Sequence, residues 1–179
     1  TVGTCTSSFV ITVTVNPTPV VSSTAGTNPI CAGASTTLSA SGASTYVWNP
    51  GAIAGSPVSV TPASTTTYTV TGTDGNGCTS TSQITVTVNP VPTITATPSS
   101  AIICAGASIT INMSGAPAYN WMPGSLTGTS EVLSPAATTT YTITGTDANG
   151  CTDTAQVIVT VNTLPTVTAS SSPSTICAG

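Results

Sequence analysis

Residues 65–88 read TTTYTVTGTDGNGCTSTSQITVTV. Two β-rich runs, 65–73 and 80–88, flank the four residues DGNG. In the second run Ile84, Val86 and Val88 fall on one face and Thr85 and Thr87 on the other, the period of two that a half-buried strand requires. Tyr68 and Val70 give the first run the same polarity. Asn-Gly between such runs is a hairpin signal, because the turn needs positive φ. The stretch therefore reads as two antiparallel strands with a threonine face outward and an apolar face inward.

The same stretch recurs at 138–161 as TTTYTITGTDANGCTDTAQVIVTV. The offset is 73 residues, and it governs the whole chain. Cysteines stand at 5, 31, 78, 104, 151 and 177, and 78 − 5, 104 − 31, 151 − 78 and 177 − 104 all equal 73. Trp48 and Trp121, Tyr46 and Tyr119, and Tyr68 and Tyr141 keep the same interval. Such self-similarity marks tandem repeats. The boundaries are 1–16 for the last strand of a preceding repeat, 17–89 and 90–162 for two full repeats, and 163–179 for the start of a following one. Joints at NPTP (16–19), NPVP (89–92) and NTLP (162–165) are proline-bearing and short, hence stiff.

Seventy-three residues suffice for a small β-domain with a modest core. The strands expected in the first full repeat are TPVVSS (18–23), STTLSAS (35–41), STYVWN (44–49), PVSVT (57–61), 65–73 and 80–88. The expected core gathers Leu38, Trp48, Tyr68, Val70, Ile84 and Val86, with Trp121 and Tyr141 in the second copy. Ile11, Val13 and Val15 repeat the inward-facing pattern at the chain's beginning. The fold class is all-β: tandem immunoglobulin-like Greek-key sandwiches in a linear array.

The chain of 179 residues has no Lys, Arg or His and only four acids, Asp74, Glu131, Asp147 and Asp153. Without cations there is nothing to neutralise phosphates, which excludes nucleic acid as a partner. Without His or Lys, and with scattered carboxylates, acid–base and nucleophilic catalysis lack their parts, so no enzyme, catalytic residue or cofactor is expected. DGNG and DANG resemble half a calcium loop, but calcium wants six to eight oxygens and several carboxylates; a hairpin turn accounts for them without a metal. No apolar run reaches the length of a bilayer span. Six cysteines in so inert a chain point to structural disulfides and an oxidising compartment. The chain opens inside a strand pattern, so it is expected to belong to a longer, exported protein.

NPICAGASTTLSASGASTYVWNPG (28–51) followed by TPASTTTYTVTGTDGNGCTSTSQITVTVNP (61–90) resembles the immunoglobulin-like and PKD-like tandem repeats of large secreted surface proteins of Bacteroidota, the Cytophaga and Flavobacterium kind. WNPG and WMPG stand where PKD repeats carry an acidic WDFGDG turn, which favours the immunoglobulin-like branch. The resemblance implies a stalk, adhesin or surface filament at the cell surface of a Gram-negative bacterium.

Six cysteines allow 15 connectivities. One choice is within each repeat, Cys31 with Cys78 and Cys104 with Cys151. Strand order opposes it. ICAG lies at the C-terminal pole of a sandwich and NGC at the N-terminal pole, roughly 20 Å or more apart over six or seven strand residues. In a linear array the C-terminal pole of one domain abuts the N-terminal pole of the next, which brings Cys31 to Cys151 as an inter-domain staple. Cys5 and Cys177 would then pair with repeats outside this segment. An unusual strand order would restore the pairs within repeats.

Asp153-Thr154-Ala155 resembles the O-glycosylation motif of Bacteroidota, with Thr154 as acceptor; otherwise it is a plain strand start. The expected function is a structural repeat segment of a disulfide-stabilised surface stalk or fibre. Its partners are neighbouring repeats and, through lateral or end-to-end contact, other copies. The competing expectations are a self-assembling filament subunit and a glycan-binding module, the latter requiring exposed aromatics.

Overall fold

The computed structural model describes residues 3–170. The chain divides into two compact units, Thr1–Asn89 and Pro90–Gly179. In the first, nine strands follow one another: β1 (Ser22–Ala25), β2 (Ile30–Cys31), β3 (Thr36–Ser41), β4 (Thr45–Asn49), β5 (Ile53–Ala54), β6 (Val58–Val60), β7 (Thr66–Thr73), β8 (Thr79–Val86) and β9 (Val88–Asn89). In the second there are seven: β10 (Thr95–Thr97), β11 (Ser100–Cys104), β12 (Ile109–Ser114), β13 (Ala118–Met122), β14 (Ser130–Leu133), β15 (Thr139–Thr146) and β16 (Thr152–Asn162).

Both units use one plan. A three-stranded sheet, β1-β3-β6 or β10-β12-β14, faces a four-stranded sheet, β5-β4-β7-β8 or β11-β16-β15-β13. The chain crosses between the sheets after its second long strand, returns, and crosses back, the Greek-key order of an immunoglobulin-like sandwich. The hairpin expected at 65–88 forms with eight registered pairs, from Thr66↔Val86 to Thr73↔Thr79. Its inner face meets the opposite sheet and its threonines face out, so sheet and pattern agree.

Each sandwich closes over a tryptophan. Trp48 packs with Ile30, Leu38, Val58, Val60, Tyr68, Val70 and Val86, and Ile84 rests half-buried against this cluster. Trp121 occupies the same place in the second unit, with Tyr141 beside it. Neither indole is left polar and unpaired. Trp48 Nε1 donates to Gly55 O at 3.0 Å and Trp121 Nε1 to Gly128 O at 2.9 Å. Burial pushes the Tyr68 hydroxyl above its ordinary value, because the apolar surroundings penalise the phenolate. The stability this represents is complete below the ordinary phenol range and is lost as pH rises through the raised value.

Two expectations require correction. The first strand is not TPVVSS but β1, which starts four residues and ends two residues further on. Val20 is exposed, and pairing begins at Ser22↔Ser41. At that end the ladder stops beside Gly42, whose φ of +95 turns the backbone so close to the Val20 carbonyl that a Cβ there would strike it. The last strand is interrupted at Thr87, which separates β8 from β9 in the first unit. Residues 3–20 carry no strand pairing within this segment, and Ile11, Val13 and Val15 lie open to solvent there. The sequence also gave no warning of β2 and β5, two residues each, too short for any periodicity to register.

Trp48→Ala should lower unfolding free energy by about 3–5 kcal/mol, the cost of emptying a large buried site. Thr67→Ala, on the outer face, should change it by less than about 0.5 kcal/mol. Chemical denaturation followed by far-ultraviolet dichroism measures both. Gly115→Ala should also destabilise strongly, since its φ is +108 and the new Cβ would collide with the Thr93 carbonyl.

Candidate functional site

The cysteines sit behind two kinds of turn. The first is the hairpin turn at 74–78. Asp74 N donates to Cys78 O at 3.0 Å and Gly77 N to Asp74 O at 3.2 Å. Asp74 Oδ1 accepts from Asn76 N and from Cys78 N, both at 2.9 Å. Gly77 supplies the positive φ, +83. The second copy repeats each bond, with Asp147 Oδ1 accepting from Asn149 N and Cys151 N at 2.8 Å. One carboxylate oxygen is thus spent on two backbone donors, an Asx-type turn. The aspartate holds the cysteine's own N–H, so the turn places the cysteine immediately before β8 or β16. Among the described residues no three His, Cys, Asp or Glu side chains gather as a metal-binding group.

The second turn follows ICAG. Short β2 runs parallel to β9, pairing Ile30 with Val88 and Cys31 with Asn89. Ala32 N donates to Asn89 O at 2.8 Å, and Ala34 N to Cys31 O at 2.9 Å. In the second unit β11 runs parallel to the end of β16 and brings Cys104 level with Asn162. Pro29 has no N–H to give this ladder. Asn28 takes over: its Nδ2 donates to Thr85 O at 2.8 Å and its Oδ1 accepts from Thr87 N at 2.9 Å. The repeat equivalents, Ala101 and Ile102, need no such device because β11 is longer. Sequence reasoning missed Asn28; an Asn preceding Pro at a strand edge is the one signal that could have found it.

These registers place the two cysteines of a repeat at opposite ends of one sandwich. Cys78 precedes β8, Cys31 is level with Asn89, and Thr79 to Asn89 is ten strand steps, about 33 Å at 3.3 Å per residue. A disulfide needs Cα atoms within about 7 Å. Cys104 and Cys151 are separated in the same way along β16. Cys31 and Cys151 each take part in a disulfide. Cys5, Cys78 and Cys104 are free thiols, Cys5 and Cys104 exposed and Cys78 half-buried, whereas Cys151 is fully buried. Cys177 lies outside the described residues.

The remaining candidates are scattered. Trp48, Trp121, Tyr68 and Tyr141 are core residues, and Phe9 alone among the seven aromatics is exposed. Thr154 lies exposed on β16, opposite Thr144. Glu131, whose repeat equivalent is Val58, accepts Gly128 N at 2.8 Å and braces the loop whose carbonyl holds Trp121.

The strand order defines a tandem immunoglobulin-like fold. No protein-family model and no curated protein sequence matches the chain. Solved structures resemble it in fold. The N-terminal Ig1-2 module of the Drosophila receptor protein tyrosine phosphatase DLAR matches at 13% identity and TM-score 0.33, over 81% of this chain and 99% of that one. The I-band fragment I67-I69 of titin matches at 12% identity and TM-score 0.40, over 83% of this chain and 67% of its own. The eight N-terminal Ig domains of Down Syndrome Cell Adhesion Molecule match at 13% and 0.40, over 81% and 25%. No helix among the described residues is long and apolar enough to cross a membrane.

Asp147→Ala should cost about 1–2 kcal/mol, by stripping the acceptor from two backbone donors. Asp147→Asn, which keeps an oxygen there, should cost less. Neither loss should depend on calcium; equal denaturation midpoints of the parent chain in calcium and in chelator would check this.

Proposed function

We propose that the chain is a structural segment of an extracellular stalk or fibre at a bacterial cell surface, its domains fastened by a disulfide between Cys31 and Cys151. The observation that carries this reading is the oxidation pattern. Cys31 and Cys151 are the oxidised pair of residues, while Cys78 and Cys104, their partners in any within-repeat scheme, are free thiols. The strand registers support it, since each within-repeat pair lies at opposite ends of one sandwich. A cross-link between repeats restricts the joint, which suits a load-bearing rod. The disulfide favours an oxidising, extracellular setting. The ICAG, NGCT and TTTYT segments support assignment to the Bacteroidota surface-repeat class. The role requires no catalysis, and the chain offers no cationic side chain for it.

A second reading, self-assembly into a filament, is favoured by the surface. Sandwich edges are ordinarily protected by Lys and other charges; this chain has no Lys, and Ile102, Val132 and Ile158 are exposed. Glycan binding draws no support from the aromatics, which are interior apart from Phe9. Thr154 is accessible to an O-glycosylating enzyme, and we propose it as the acceptor if the chain is glycosylated.

A non-reducing peptide map tests the fastening. With no trypsin site, cleavage after aromatic residues and before Asp isolates Cys31 in residues 10–46 and Cys151 in residues 147–152. These two peptides should emerge linked. Cys31 linked to the peptide 74–119, which carries Cys78 and Cys104, would overturn the reading. Negative-stain imaging should show dispersed thin rods; ordered bundles would favour the filament.

A further inference from the structure

We propose that Asn76 and Asn149 are self-modification sites, each able to convert through a cyclic imide to aspartate and isoaspartate, and that Asp74 and Asp147 keep them unreacted while the turns are folded. The proposal goes beyond the structural role above and does not depend on how the cysteines pair. An asparagine cyclises when the backbone nitrogen of the next residue reaches its Cγ, so the next residue decides access. Asn16, Asn28, Asn49 and Asn89 precede proline, which has no N–H to lose. Asn112, Asn120 and Asn162 precede Met113, Trp121 and Thr163, whose side chains crowd the approach. Asn76 and Asn149 precede glycine, and both lie exposed to water. A Cβ built on Gly77 or Gly150 would meet nothing within 4 Å, so side-chain packing does not hold these peptides still.

One aspartate holds each of them. Three successive N–H groups end on Asp74: those of Asn76 and Cys78 on Oδ1 and that of Gly77 on the main-chain oxygen, while Asp74 N donates to Cys78 O. Asp147 takes the N–H groups of Asn149, Gly150 and Cys151 in the same way. Cyclisation must break this arrangement. Gly77 N has to leave the Asp74 oxygen, lose its proton and swing toward Asn76 Cγ. The amides on either side of it are pinned by the carboxylate, whose negative charge also disfavours a second one on the nitrogen between them.

The chemistry needs only water. Hydroxide takes the proton of the glycine N–H, and the nitrogen attacks the asparagine Cγ. The Cγ–Nδ2 bond breaks and ammonia leaves with a proton from water. Water then opens the imide. Opening at the Cγ carbonyl leaves an ordinary aspartate. Opening at the main-chain carbonyl leaves isoaspartate, with one extra methylene in the backbone. Nothing is oxidised or reduced. Conversion of both sites takes the net charge from −4 to −6. The altered turn lies directly before β8 or β16, so modification loosens the segment that positions Cys78 or Cys151.

The test incubates the chain at mildly alkaline pH, then reduces it and cleaves after aromatic residues. Asn76 is then read in residues 69–119 and Asn149 in residues 142–179. Mass spectrometry locates each amide-to-acid change, and enzymatic methylation reports isoaspartate. The chain held unfolded in denaturant should convert at Asn76 and Asn149 ahead of every other asparagine, and the folded chain far more slowly. In folded Asp147→Ala, Asn149 should convert about 5–30-fold faster than in the folded parent. Asn76 in the same molecule should keep its rate. Asp74→Ala should show the reverse, and Asp147→Asn, which retains the acceptor oxygen, should stay near the parent. Equal rates in the folded and unfolded parent would overturn the proposal, as would an unfolded chain in which neither site reacts. An unchanged Asn149 rate in Asp147→Ala, or equal acceleration at both sites, would overturn the role of the aspartate. So would Asp147→Asn reacting as fast as Asp147→Ala, or a variant that has lost its sheet dichroism and converts at the unfolded rate.

Discussion

The parallel pairing of the ICAG strand with the end of the last strand is the constraint on which the cysteine arrangement depends. Parallel strands leave the chain at the same end. Cys31 is therefore carried to the level of Asn89, and Cys104 to that of Asn162. The other cysteine of each repeat is held at the opposite end by the aspartate turn. A domain built this way presents one cysteine at each end and cannot join them to each other. The sandwich core supplies rigidity between the ends through a buried tryptophan, whose indole N–H is satisfied by the loop after its own strand.

The two units also show how one plan tolerates different local solutions. In the first, Pro29 shortens the parallel strand and Asn28 replaces the missing ladder bonds with its side chain. In the second, Ile102 lets the strand run five residues, and Glu131 braces a loop that the first unit closes without an acid. The core positions change least, because a sandwich of this size has little apolar surface to spare.

Much of this was legible along the chain. The period of two in 84–88 set which face is buried, and Trp48, Tyr68, Val70 and Val86 are in the core as their spacing implied. The positive φ expected of Asn-Gly is present at Gly77 and Gly150. The Asp74 carboxylate turned out to be a backbone acceptor, a role visible in the order Asp-x-Asn-Gly. Asn28, β2 and β5 were not legible: strands of two residues carry no period, and a side chain that stands in for backbone can be recognised only once its partners are in place.

Residues 11–17 and 84–90 are the same heptapeptide, ITVTVNP. At 84–86 it pairs with β7 and buries Val86 completely; at 11–17 it is unpaired, and Val13 is 79% exposed. The sequence by itself determined the repeat, the alternation of faces, the turn chemistry and the absence of cationic side chains, since these depend on a residue and its near neighbours. Only the tertiary structure decided which strand each segment pairs with and which end of a sandwich each cysteine occupies. Strand pairing is a bond between distant segments, and no local pattern states which segment the partner is.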